Sequence, residues 1–198
     1  SLRYRVGLHT EGGHSYGKFG NQNAIQTLAS MINTLYTYKV PKPGKSTYNV
    51  GTITGGTSIN TIAQYAEMRF EYRSDVRESL AAMNQFFQSV LETYRHMDNV
   101  QVECELLGER PCTGDVDKEK QSALENKAAD LMEAFTGKRP QFYSGSTDSN
   151  IPLAEGVPSI CFGGHMATGA HTREEFLNAK DLKLGMMIVG AFMETYFN

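Results

Sequence analysis

From Gln64 to Arg73 apolar and polar positions alternate with a period of two. Ala66, Met68, Phe70 and Tyr72 fall on one side, and Tyr65, Glu67, Arg69, Glu71 and Arg73 on the other, the pattern of a strand with one face in a core. Residues 51–75 read as two strands joined by the turn Gly55-Gly56-Thr57-Ser58, with Asn60 where a polar amide points away from the sheet. Residues 3–9 alternate in the same way, Tyr4, Val6 and Leu8 against Arg3, Arg5 and His9, until the glycine-rich loop 11–20 breaks the pattern. Spacing of three and four then takes over. Ile25, Leu28, Ala29, Ile32, Leu35 and Tyr36 predict a helix over 21–38, capped by Asn21 or Asn23 and ended before Pro41. Asp75 and Glu78 resemble a capping box ahead of a second stripe, Val76, Leu80, Met83, Phe87, Val90 and Tyr94. Val100, Val102, Cys104 and Leu106 alternate as a further strand.

The order strand, helix, strand, strand, helix, strand predicts a ferredoxin-like βαββαβ unit over residues 1–113, two helices covering one face of an antiparallel sheet. Beyond it the rhythm changes to α/β. A helix over 117–135 closed by Gly137, a short strand at 141–144, a turn at 148–152 and an apolar strand at 158–162 lead to a last helix. Asn178 and Asp181 form its capping pattern, Leu177 and Leu182 its staple, and Met186, Val189 and Met193 its buried stripe. Two strands with two or three helices make a thin core. Residues 114–198 are therefore expected to be an incomplete α/β segment of a larger domain, completed by absent strands or another chain.

At 198 residues and 40% hydrophobic, the chain can bury a core of ordinary size. A net charge of −3 and a pI near 6.0 argue against nucleic acid or an anionic membrane as partner and leave small molecules or proteins. Cys104, Cys112 and Cys161 are an odd set without CxxC spacing, so neither a disulfide framework nor a thiolate metal site is expected, and a reduced, cytoplasmic setting fits. No apolar run approaches the ~18 residues of a membrane span. The chain opens directly on a strand, which suggests that its natural start lies upstream.

Two loops carry the chemistry. His14 stands in Gly12-Gly13-His14-Ser15-Tyr16-Gly17, where glycines permit close approach to a ligand and an imidazole can donate to a developing oxyanion; a solvated loop histidine is the plainer alternative. His171 follows an apolar strand in a second glycine-rich loop, the position at which open α/β sheets build sites, and reads equally as a zinc ligand or a structural residue. His165 leans structural, and His96 closes a helix as a dipole partner. Asp148 reads first as a helix cap. Arg110 leaves the last strand where a guanidinium suits a substrate carboxylate or an interdomain salt bridge.

Taken in order, GGHSYGKFGNQNAI, GGTSINTIAQYAEMRFEYRSD, GERP, SGSTDSNIP and GAHTREEF resemble the dinuclear-zinc exopeptidase and amidohydrolase family, which includes peptidase T, carboxypeptidase G, acetylornithine deacetylase and succinyl-diaminopimelate desuccinylase. The resemblance covers nearly the whole chain. It implies that residues 1–113 are the lid and dimerisation domain and that residues 114–198 are the final part of the catalytic domain. It further implies that His171 is a metal ligand and that His14, reaching across a homodimer formed through the lid, polarises the scissile carbonyl. Asn60 and Arg110 would hold the carboxylate or carbonyl of a peptide or N-acyl amino acid substrate. Two zinc ions would serve the complete enzyme. The other ligands and the general base would lie in an N-terminal half outside this chain, leaving it inactive alone. A di- or tripeptide aminopeptidase is the leading expectation; the alternative is a non-catalytic ferredoxin-like module for dimerisation or ligand sensing.

Overall fold

The computed structural model describes residues 1–42, 44–164 and 167–196. The chain divides into two compact units, Ser1–Cys112 and Thr113–Asn198.

In the first unit β1 (Leu2–Thr10), β3 (Ser46–Gly55), β5 (Tyr65–Ser74) and β6 (Val100–Glu109) form an antiparallel sheet in the order β3-β5-β1-β6. Helices α1 (Ala24–Leu35) and α2 (Arg77–Arg95) connect them, giving the ferredoxin-like arrangement. Two short strands, β2 (Gly13–His14) and β4 (Thr61–Ile62), pair separately at one end. The alternating strands fold as their pattern dictates. Val6, Leu8, Ala66, Met68, Phe70 and Tyr72 are buried against Leu28, Met31, Leu35, Met83, Phe87 and Leu91 of the helices. Aromatic rings fill the centre, with Phe87 4.7 Å from Tyr4, 5.3 Å from Phe70 and 5.7 Å from Tyr72.

The opposite face of the sheet is charged. Arg5 Nε donates to Glu105 Oε2 at 2.9 Å, its Nη1 lies 3.5 Å from Glu67 Oε2, and Tyr65 Oη donates to the same Glu67 oxygen at 2.6 Å. Arg73 grips Glu71 through Nε and Nη2, at 3.0 and 2.8 Å. These bonds push the Arg5 guanidinium above its ordinary pKa, chiefly through Glu105, and hold Glu71 below its own, chiefly through Arg73.

Two expectations about this unit change. Helix α2 starts at Arg77 with Val76 in the cap position and no side-chain bond there, while Asp75 Oδ1 accepts from the Lys45 backbone N–H at 2.8 Å. The Asp75–Glu78 pair is not a capping box, because the acid reaches across to the neighbouring strand's entry. Helix α1 is capped by Asn23, whose Oδ1 accepts from Ile25 and Gln26, but its buried side is Ala24, Thr27, Leu28, Met31 and Leu35. Ile25 is 42% and Tyr36 48% exposed, and Ala29 is open as well. One chain covers only half of the apolar arc that the sequence provides.

In the second unit α3 (Lys118–Thr136) runs from the Asp117 cap, whose Oδ1 accepts from Glu119 and Lys120, to Gly137 in the left-handed region at φ 72°. Helix α4 (Asn150–Ala154) takes up the expected turn, and α5 (Leu182–Tyr196) follows a 3-10 turn capped by Asn178. The two expected strands differ: 141–144 and 158–162 form no ladder among the described residues. A strand exists through its neighbour. At Ser159 the Gln121 side-chain amide takes that part, accepting from Ser159 N at 2.9 Å and donating to its carbonyl at 3.1 Å. The ladder found here is β7 (Ala167–Thr168) with β8 (Phe176–Leu177). The expected stripe of α5 is open rather than buried, Met186 at 76% and Met193 at 57%, and Leu177 and Leu182 are exposed; Gly185 and Ile188 face inward instead. The adjoining apolar surface needed to cover the stripe is not supplied by the described residues.

Candidate functional site

The His14 loop is fastened to the chain that follows β3 and to the segment that leads into α1. Thr10 Oγ1 donates to Ala63 O at 2.9 Å, Gln64 Nε2 to Glu11 O at 3.0 Å and Asn21 Nδ2 to Gly12 O at 2.8 Å. Gly12 has φ 63°, and a Cβ there would fall 2.0 Å from Gln64 Cγ, so only glycine fits. Across the β2–β4 ladder His14 stands beside Thr61, and Ser15 N donates to Asn60 O at 2.9 Å. Two candidates 46 positions apart in sequence thus lie at one short ladder, His14 within it and Asn60 next to it, and both are exposed.

The side chains are held locally. His14 Nδ1 accepts from the backbone N–H of Tyr16 at 3.3 Å and of Gly17 at 3.4 Å, and Lys18 N donates to His14 O at 2.8 Å. Asn60 Oδ1 accepts from Ser58 Oγ at 2.5 Å inside a turn where Thr61 Oγ1 donates to Ser58 O at 2.9 Å. Residue type singles out His14 and Asn60 as candidates but not Ser58, Thr61 and the two amides that bond around them. Backbone donors leave no mark in residue type.

Arg110 lies at the far end of the same sheet. It continues β6 beside the start of β1, where its N–H donates to Ser1 O at 2.8 Å and its carbonyl accepts from Ser1 N at 2.6 Å. The nine residues of β1 separate this end from the His14 loop, about 30 Å at the rise of a strand.

In the second unit His171 occupies the turn between β7 and β8 with φ 66°, its N–H donating to Glu175 Oε2 at 3.1 Å. Thr172 closes the turn on Gly169 O through both its N–H and its hydroxyl, at 3.0 and 2.7 Å. Near α4 the cap position belongs to Ser149, not Asp148, whose carbonyl accepts from Ile151 at 3.4 Å. His96 takes the C-cap position of α2. His165 lies outside the described residues. Among the described residues no three of His, Cys, Asp or Glu converge as a metal site would require. The groups here do not by themselves fit a zinc ion. Cys104, Cys112 and Cys161 are free thiols, and no described helix is long and apolar enough to cross a membrane.

Residues 1–97 match the family model of the peptidase dimerisation domain. No curated protein sequence matches the chain significantly. Among solved structures, aminopeptidase PepT from Bacillus cereus ATCC 10987 aligns with 98% of this chain and 51% of its own at 21% identity and TM-score 0.61. A tripeptidase from Staphylococcus aureus subsp. aureus Mu50 aligns with 96% of this chain and 50% of its own at 19% identity and TM-score 0.70. A hydantoinase/carbamoylase-family amidase from Burkholderia vietnamiensis aligns with 97% and 46% at 14% identity and TM-score 0.71. At such identities the likeness is one of fold, and the chain spans about half the length of these structures. The family model over residues 1–97 and the order of the four-stranded sheet agree, and the first unit is a peptidase dimerisation domain.

Proposed function

We propose that the protein to which this chain belongs is a zinc-dependent hydrolase of peptide or N-acyl amino acid bonds, a di- or tripeptide aminopeptidase in its closest form, and that residues 1–113 act as its lid and dimer contact. Residues 114–198 would close the catalytic domain. The separation of groups along the sheet carries this reading. His14 and Asn60 sit at one end and Arg110 at the other, about 30 Å away along β1, so one small substrate meets all three only where two copies combine.

Self-association has a surface suited to it. Strand β3 is an edge, and Ile53 on it is 53% exposed. Ile25, Ala29, Ile32 and Tyr36 run along α1 at spacings of four, three and four, and Tyr36 stacks edge-on to Tyr48 of β3 with centroids 5.1 Å apart. A second copy laid against this edge would cover unpaired strand groups and apolar side chains together.

In the mechanism His14 donates through Nε2 to the scissile carbonyl as charge develops on its oxygen, and Asn60 and Arg110 orient the substrate through carbonyl and carboxylate. His171 would offer one imidazole to the metal. The described residues supply no further ligand set. The free cysteines favour a reducing, cytoplasmic setting.

The test uses the longer enzyme that includes the missing half, offered di- and tripeptides and N-acyl amino acids. His14→Ala is expected to lower kcat by roughly 10², the scale of one oxyanion donor, with dimer mass unchanged. Mixing it with a His171→Ala variant should restore part of the activity, because exchanged dimers regain one intact site. Mixtures as inactive as their parents, despite proven subunit exchange, would rule out the arrangement across subunits; no turnover on the whole panel would rule out the enzyme.

A further inference from the structure

We infer that the backbone amides of Tyr16 and Gly17 are positioning groups that fix the tautomer and aim of the His14 ring. Nδ1 receives both N–H groups, at 3.3 and 3.4 Å. A nitrogen that accepts has its lone pair occupied and carries no hydrogen, so in the neutral ring the proton sits on Nε2. The opposite ring orientation would turn a C–H toward the two amides and leave them without an acceptor, so the same pair of bonds sets which edge of the imidazole points outward.

The frame behind these amides is bonded on both sides. His14 is held in β2 against Thr61, Ser15 N is bonded to Asn60 O, and Lys18 N returns to His14 O, so residues 14–18 form a closed turn. A side chain accepting from the amides two and three residues ahead is the geometry by which Asx and Ser/Thr turns form, here with an imidazole as acceptor. The turn is built so that its acceptor is one ring nitrogen and its exposed donor is the other.

The inference rests on the proposed function only for what the Nε2–H is used for. With Nδ1 engaged, the outward atom is always a donor, as stabilising an oxyanion requires; the other tautomer would turn a lone pair toward the carbonyl oxygen.

The first measurement needs no activity. In the chain with 15N-labelled histidine, long-range proton–nitrogen spectra at a pH where the rings are neutral should show His14 as one tautomer, with a pyridine-type Nδ1 and a pyrrole-type Nε2. The signal is assigned by its loss in His14→Ala, and exposed His96 serves as the internal comparison. A tautomer mixture at His14 equal to that of His96, or a pyrrole-type Nδ1, overturns the inference. Second, His14→Asn keeps an acceptor near the Nδ1 position and should preserve slow exchange of the Tyr16 and Gly17 amide hydrogens, whereas His14→Gln should speed it about two- to tenfold, the worth of one such bond. Equal exchange in both overturns it. Third, in the longer enzyme His14→Gln retains a donor near the Nε2 position without the anchoring, so kcat should fall while KM holds; retained kcat would mean that any donor suffices. An inactive wild-type enzyme would sink the proposed function and leave the two spectroscopic outcomes to decide this one.

Discussion

At the scale of single residues the core is defined by its rings. Phe87 touches Tyr4, Phe70 and Tyr72 and is almost wholly buried. Phe87→Ala should cost about 3–5 kcal/mol, read from the urea midpoint of the first unit, because the surrounding rings cannot all collapse into the space. Thr27 provides the opposite sign. Its hydroxyl is buried in α1 with no hydrogen-bond partner, so Thr27→Val should stabilise by about 1 kcal/mol; a loss of stability would mean that the hydroxyl is satisfied. On the charged face Arg73 holds Glu71 below the ordinary glutamate value of 4.5. Its folded form binds a proton less readily than the unfolded chain, so this contribution is present above about pH 4.5 and disappears as pH falls. Glu71→Gln should flatten the dependence of the unfolding midpoint on pH below that value. The alternation of residues 65–73 placed Phe70 and Tyr72 on the core side and Glu71 and Arg73 on the other, while the expected stripe of α1 left Thr27 out. It was silent on His14's ring, because the atoms that aim it belong to the backbone.

At the scale of elements, the sequence was read well where a segment's partners lie close along the chain. Asp117 and Gly137 bound α3 as their residue types suggest, and Asn23 caps α1. Asn23→Ala should cost about 1 kcal/mol, with circular dichroism showing fraying at the start of α1. Reading failed where an apolar segment needs something distant. Periodicity gave α1 and α5 stripes but not which side meets a partner, and 158–162 has strand composition without strand neighbours. The acid at 75 looked like a cap because sequence spacing cannot tell a helix's own amide from that of Lys45.

At the scale of the whole molecule, the two units differ in how much they bury. The first has a continuous core drawn from four strands and two helices, while the described residues of the second bury little beyond Ala128, Ala129 and Ile188. Hydrogen exchange should therefore show the amides of α3 and α5 opening at lower free energy than those of β1 and β5, and denaturant should unfold the chain in two steps. A single coincident transition by fluorescence and circular dichroism would contradict it.

The row of unpaired groups on β3 is shorter than the strand. Its register shifts between Val50 and Thr52, and the Val50 N–H is already taken by Tyr36 Oη at 3.2 Å. Beyond that shift the run from Thr52 to Gly55, Ile53 included, is exposed throughout. If a second copy occupies that run, folding and assembly are linked by mass action, and thermal stability ceases to be a constant of the sequence. The melting temperature of the first unit should then climb with every tenfold rise in protein concentration, and Ile53→Arg should make it independent of dilution.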